Sequence, residues 1–361
     1  MKILDKYIFI EIAKVFLMSL FILMSILILE KINFISNLTR GSAMGAGELL
    51  KLIIYTSPAF LVVSIPLASM LASLTTFSRL SADNELTAMR AGGVSFMRLL
   101  WPVILASITW MTFSFWLSME IMHKGNYLFN SQITSYVSKR ITTALGERVF
   151  FDKFPNIIIY VSEKPPGENI LKGVFIYDSS GADRPRFITA RRGFLGTLPN
   201  DNIALKLEDG YIYSGDAVSF RQITYRNYDV VMDVGLAQRK AFEKGAREMS
   251  PAEIASDIQK RIQLKATVNA DVVEFCKRFT MPFACLVLGV LGAPLGFKVG
   301  RGGKWGGVGM GILMIIFNYL LLMVGEGLGS QGRIDPVLSA VLPNAIMGVL
   351  ALFLIYRAVK K

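Results

Sequence analysis

Histidine is almost missing from this 361-residue chain, cysteine occurs twice, and charged residues make up only 18%. The single histidine, His123, leaves no room for a His-based metal site or a His-dependent triad, and the sequence offers no other metal-ligand cluster. Cys276 and Cys285 lie nine positions apart on what reads as one helix. That spacing separates their α-carbons by roughly 13 Å, too far for a disulfide. A soluble domain carries about 25% charged residues, so the deficit here points to apolar surface left in lipid. The net charge of +12 is then a question of where the cations sit rather than of nucleic acid, which is the weaker explanation.

Charge is absent altogether from six stretches: Val15–Leu29, Leu52–Ser78, Leu99–Met119, Phe279–Phe297, Trp305–Gly325 and Pro336–Tyr356. A hydrocarbon core of about 30 Å needs about 20 apolar residues in a helix, so each stretch is a span. The first is long enough if it starts near Ile8, with Glu11 and Lys14 reaching water at the headgroup level. A cleaved signal peptide competes for this stretch, but no small-x-small pattern follows Leu29. Segments 1–7, 79–98, 298–304 and 357–361 hold eleven Lys/Arg, against Lys31, Arg40 and Arg333 in the alternate loops. This bias places both termini in the cytoplasm, although Lys277 and Arg278 beside the fourth span run against it.

Between spans three and four the pattern changes to alternation at period two. Strand candidates are Ile157–Val161, Gly173–Tyr177, Phe187–Ala190, Phe194–Leu198, the run 203–208, Tyr211–Tyr213, Phe220–Tyr225 and Asp229–Met232, with Asp209-Gly210 read as a two-residue hairpin turn. About eight short strands indicate a jelly roll or sandwich, serving either as a solubilising cap or as a pair of sheets holding an apolar ligand. The expected fold is therefore a six-span helical membrane protein with an inserted periplasmic all-β, jelly-roll-like domain. Spans one to three fill 1–123, the β domain and a following helix fill 124–265, and spans four to six fill 266–361.

Ser250-Pro251-Ala252-Glu253 carries a complete helix start, with Ile254, Ile258 and Ile262 forming one apolar face. Pro282 and Pro294 imply a kinked or interrupted fourth span. Gly292, Gly296, Gly307 and Gly311 are spaced for close helix approach. The loop Arg79-Leu80-Ser81-Ala82-Asp83-Asn84-Glu85-Leu86-Thr87-Ala88-Met89-Arg90-Ala91-Gly92-Gly93 reads as a helix of about ten residues over 81–92. Ser81 caps it, Asp83 favours its first turn and the glycines end it. Leu86 and Met89, flanked by Glu85 and Arg90, offer a partner an apolar knob between opposite charges; the plain alternative is a helical linker.

Gly300-Arg301-Gly302-Gly303-Lys304-Trp305 looks like a phosphate cradle, but Lys298 and Trp305 stand where a P-loop needs glycine and Ser/Thr. The central parts of the spans hold no ionisable residues for a coupling ion. Such a chain is not an enzyme with its own nucleotide site: it takes its energy from a partner, or transports nothing.

Several motifs together resemble the lipopolysaccharide-export permeases of the LptF/LptG (YjgP/YjgQ) type across essentially the whole chain. They are Asp5-Lys6-Tyr7 to Glu11, Asn84 through Gly93, Lys277-Arg278 with Pro282, Gly292-Ala293-Pro294-Leu295-Gly296, and Leu342-Pro343-Asn344. Val341 departs from the tryptophan often found before the last motif. Within the family, Arg221 through Tyr228 leans toward the LptF member. The resemblance implies a permease subunit of an ABC transporter in the bacterial inner membrane. It would extract lipopolysaccharide from the outer leaflet and pass it to a periplasmic bridge. Implied partners are a paralogous permease, two copies of a cytoplasmic ATPase that carry the ATP and Mg, and a bitopic jelly-roll protein of the LptC type, among membrane lipid and without nucleic acid. No cofactor is implied for this chain itself.

By resemblance the loop around Glu85, with Asp83, Leu86, Met89 and Arg90, is the ATPase-coupling helix, and spans one and five line the substrate cavity. Acyl chains suit a wall of Phe21, Met24, Ile312, Ile316 and Tyr319, and phosphates suit Lys31 and Arg40, for which ordinary snorkelling is the alternative. Two other readings compete: a non-transporting anchor displaying a β binding module, and a self-powered transporter.

Overall fold

A computed structural model describes residues 3–38, 45–138, 150–154, 157–163, 165, 170–179, 186–197, 203–216, 219–232, 244–264, 266–300 and 306–360. Arg40 and residues 301–305 of the glycine-rich turn lie outside these residues. The helices are α1 (Ile3–Leu38), α2 (Ala46–Ala82), α3 (Glu85–Ala91), α4 (Phe96–Trp116), α5 (Met122–Ser138), α6 (Pro251–Gln263), α7 (Asn269–Val299), α8 (Gly306–Ser330) and α9 (Pro336–Lys360), with a π-helical turn at Leu117–Ile121 between α4 and α5. Six of them are long and apolar enough to cross a membrane, each built on one uncharged stretch. The chain divides into a helical unit, 1–129 with 244–361, and a β unit, 130–243.

In the helical unit α7 is the hub, packing on α2 most extensively and also on α9, α4 and α8. Small residues allow the approach. A β-carbon at Gly292 would meet Ser73 and lie 2.6 Å from the Met70 carbonyl; one at Gly296 would meet the Leu74 carbonyl and lie 2.9 Å from the Ser78 amide. Serine hydroxyls then bond across the seam, Ser69 to the Cys285 carbonyl (3.2 Å) and Ser81 to the Phe297 carbonyl (3.0 Å). Despite Pro282 and Pro294, α7 runs unbroken from Asn269 to Val299. Pro282 has no N–H to offer the carbonyl of Arg278, four residues back, and Ser118 in the π-helical turn donates to that carbonyl instead at 3.1 Å.

The β unit holds one antiparallel sheet in sequential order: β1 (Phe150–Phe154), β2 (Ile157–Glu163), β3 (Ile170–Asp178), β4 (Arg186–Thr197), β5 (Ile203–Asp216) and β6 (Ser219–Met232). The expected eight short strands are six among the described residues, forming an up-and-down sheet rather than two separate ones. Asp209-Gly210 is not a hairpin turn but lies inside β5, where Gly210 pairs with Ala190 on one side and Tyr225 on the other. The register places Gly173, Arg191, Asp209 and Arg226 in one transverse row, where paired partners are interrupted in each ladder. Gly173 (φ 63°) and Asp209 (φ 51°) are left-handed there.

Buried positions change parity at this row: Leu171 gives way to Val174 and Ile176, and Leu205 and Leu207 give way to Ile212. All of them join one core. The polar punctuation between the short strand candidates is therefore a crease that re-aims long strands. Tyr225 crosses at this crease, its hydroxyl donating to the Thr189 carbonyl at 2.8 Å, and burial pushes its pKa up to about 12.

The helix start at Ser250 is as expected: its side chain accepts from the Glu253 amide (3.2 Å) while the Glu253 carboxylate accepts from the Ser250 amide (2.7 Å). Ile254 is buried, Ile258 half-buried and Ile262 exposed, so only the first turns of α6 lie on the bundle. Lys244 donates to Glu253 at 2.8 Å. That bond and the Ser250 amide hold the carboxyl at about 2, below its ordinary 4.5. A depressed carboxyl stabilises the fold above its unfolded value and loses that contribution as pH falls toward the folded one. Amide protection at the start of α6 should therefore decline between pH 4.5 and about 2 and be flat in Glu253→Gln; hydrogen exchange measures it.

Candidate functional site

At the end of the bundle where α1 begins, five elements meet: the starts of α1 and α4, the ends of α2 and α7, and the whole of α3. The apolar floor combines Ile8 and Ile12 of α1, Phe77 and Leu80 of α2, Phe96 and Leu99 of α4, and Phe297 of α7 in one cluster. Leu86 of α3 is 0% exposed within it, and Met89 packs against it.

Helix α3 is shorter than the sequence suggests. Helix α2 continues through Ala82, so Ser81 is not a cap, and its hydroxyl is spent on Phe297. Asp83 terminates α2 rather than opening α3, and the chain turns through Asn84 in a left-handed conformation (φ 62°), which asparagine tolerates. Seven residues follow. The far end closes as expected: with Gly93 at φ 85°, the Val94 amide donates to the Met89 carbonyl and the Gly93 amide to that of Arg90.

Polar groups ring the floor. The Tyr7 hydroxyl donates to Glu85 Oε2 at 2.9 Å. Arg79 lies 3.1 Å from Glu11, 3.9 Å from Asp83 and 3.9 Å from Glu85. Arg98 holds Asp5 at 2.6 Å, and Lys14 lies 3.9 Å from Glu11. The Arg90 guanidinium sits 5.6 Å from the Phe297 ring centroid. Arg79 and Lys14 face Glu11, Asp83 and Glu85, which leaves these five groups at −1. Glu11 is thus tied to span two rather than only snorkelling.

Of the coupling residues expected from sequence, Asp83, Glu85, Met89 and Arg90 come together here. Leu86 is corrected: it is a floor residue of the chain's own core, not a knob for a partner. The exposed face of α3 is Thr87, Ala88 and Ala91, flanked by Asn84 and Gly92. Arg79, Arg98 and Tyr7 escaped sequence reasoning. Their signal was the helical spacing of Asp5, Ile8 and Ile12 beside Tyr7 and Glu11, which puts two rows on one face of α1.

The expected substrate wall is not assembled within one chain. Helices α1 and α8 each pack on α2 and make little contact with each other. Phe21 is 74% and Tyr319 64% exposed, Ile312 and Ile316 are exposed, and Met24 is half-buried. Lys31 is half-buried with its ammonium 4.2 Å from the Phe129 ring centroid and 4.8 Å from that of Phe34. An apolar groove of about 820 Å³ lies elsewhere, between α4, α7 and α9, bordered by Phe115, Phe283 and Leu352.

A family described as "Lipopolysaccharide export system permease LptF/LptG" matches residues 6–357. An uncharacterized protein of Rickettsia prowazekii is 24% identical over 252 residues, covering 67% of this chain and 69% of its own. The lipopolysaccharide export system permease proteins LptF of Escherichia coli K12 and of Shigella flexneri are each 22% identical over 368 residues, covering 98% of this chain and 94% of theirs.

Proposed function

Because this chain belongs to the lipopolysaccharide export system permease LptF/LptG family, we propose that it is one permease half of an ATP-driven machine. It would draw lipopolysaccharide from the outer leaflet of the inner membrane and hand it to a periplasmic bridge. Both termini are cytoplasmic in this reading and the β unit is periplasmic. The positive charge on segments 1–7, 79–98, 298–304 and 357–361 supports that orientation. Its partners are a paralogous permease, two copies of a cytoplasmic ATPase that carries ATP and Mg, and a bitopic jelly-roll protein of the LptC type.

The observation that carries the reading is the seat of α3. A seven-residue helix has no stability of its own, yet this one is fixed at the end of the bundle by Leu86 beneath and Glu85 at the side, with Thr87, Ala88 and Ala91 turned outward. That is a rigid, small-residue face with carboxylates at the Glu85 edge and the Arg90 guanidinium at the other, suited to a groove on a soluble partner that answers both charges. The uncovered apolar faces of α1 and α8 complement it: Phe21, Met24, Ile312, Ile316 and Tyr319 suit acyl chains once the second permease closes the wall, with Lys31 and Arg40 as phosphate candidates.

Purification with native partners and reconstitution in vesicles loaded with lipopolysaccharide tests the proposal. The expected result is co-recovery of an ATPase and ATP-dependent release of lipopolysaccharide to a periplasmic acceptor. Recovery without any ATPase, or release indifferent to ATP, overturns it.

A further inference from the structure

Helix α3 is fastened to span one, and that fastening has a consequence for how a docked ATPase moves the transport path. Three kinds of contact converge on the first ten residues of α1. Ile8 and Ile12 share the apolar floor with Leu86. Tyr7 donates its hydroxyl proton to Glu85. Glu11 shares the Arg79 guanidinium with Glu85 and Asp83. Beyond Phe16 the character of α1 reverses: Leu17, Met18, Phe21, Ile22, Ile26 and Leu29 are exposed, and its most apolar stretch is the least buried of the six spans. Span one is thus held at its start and again near its end, where Ile35 is fully buried, with a middle stretch that its own chain leaves largely uncovered.

We infer that span one is the lever that reads the docking helix, and that Tyr7 is the positioning residue that joins the two. Among the described residues the Tyr7 hydroxyl makes a direct hydrogen bond from α1 to α3, and it also meets the Arg79 side chain, which reaches Glu11 and Glu85 from α2. A displacement of α3 by the partner therefore passes to α1 through Glu85 and Tyr7. The packed floor carries the displacement as well, and the Tyr7 hydrogen bond adds the direction that apolar contact lacks. The exposed face Thr87, Ala88 and Ala91 receives the partner, and the opposite side of α3 delivers its motion. This inference rests on the coupling role proposed above and adds which span receives the motion and through which group.

Tyr7→Phe in the reconstituted complex tests it, since the variant keeps the ring and removes only the hydroxyl. The expected outcome is lipopolysaccharide moved per ATP reduced at least several-fold, by clearly more than any fall in ATPase capture or ATP hydrolysis. Hydrogen exchange gives a second readout. Adding the ATPase should slow exchange in both α3 and residues 5–12 of the wild type, but in α3 alone of Tyr7→Phe. Unchanged transport per ATP overturns the inference, and so does a parallel fall of capture, hydrolysis and transport, which marks Tyr7 as a mere part of the seat. If the wild type captures no ATPase, the coupling reading falls and this inference with it; capture with an unaltered Tyr7→Phe sinks the inference alone.

Discussion

Glu85→Lys is expected to release the ATPase while leaving the chain inserted in the membrane. The substitution puts an ammonium where the carboxylate now lies 3.9 Å from Arg79 and accepts the Tyr7 hydroxyl. Arg79, Lys14, Glu11 and Asp83 with residue 85 then sum to +1 instead of −1, so a corner suited to a cationic partner repels it. Single ion pairs at partly exposed sites contribute little, of the order of 1 kcal/mol or less, so the loss of one pair is not the main effect. The larger effect is that α3 has no independent stability and depends on its seat, which a like-charge contact opens. Capture should fall by at least about tenfold, equivalent to about 1.4 kcal/mol. Affinity recovery of the ATPase, normalised to permease in the membrane fraction, measures it. Wild-type recovery would remove the coupling role from Glu85.

The membrane half of this architecture is legible from sequence because lipid imposes a length and a composition that few other environments demand. The β half is less so. Asp209-Gly210 signals positive φ correctly, and Asp209 has it, but a local signal does not say whether the chain reverses or bends. That choice belongs to the neighbours: Ala190 and Tyr225 continue the ladders past Gly210, and the same row is bent at Gly173. Arg191 and Arg226, read as boundaries between short strands, sit in that row for the same reason. The candidate site divides similarly. That a helix stands near Glu85, and that Gly92-Gly93 ends it, follows from local chemistry. Whether Leu86 faces a partner or a core is decided by Ile8, Phe96 and Phe297, which reach it from three other helices. Ser81 is the same case in polar form, a good capping residue whose hydroxyl is claimed by a carbonyl 216 positions away.

The seam between spans two and four is where the largest loss of the folded protein is expected. In Gly296→Leu the new β-carbon would meet the Leu74 carbonyl oxygen, with the Ser78 amide at 2.9 Å and the Phe77 β-carbon at 3.0 Å. Two of these are backbone atoms inside a helix, so no rotamer change relieves the clash, and α2 and α7 must separate. Separation breaks the Ser69–Cys285 and Ser81–Phe297 hydrogen bonds in a place where water does not replace them. It also unseats Phe297, the α7 contribution to the floor under α3. Overpacking a helix contact usually costs about 1–3 kcal/mol, and the backbone clash puts this one at or above the upper end. The control is Gly309→Ala on α8, where a β-carbon meets nothing within 4 Å. Thermal unfolding in detergent should show Gly309→Ala at or slightly above wild type, because the helix gains propensity, and Gly296→Leu far below it. Equal melting of the two variants would mean that the spans do not approach through Gly296. Because the floor depends on Phe297, partial unfolding should begin at α3, and ATPase capture should fail in Gly296→Leu at temperatures where the remaining spans are still folded.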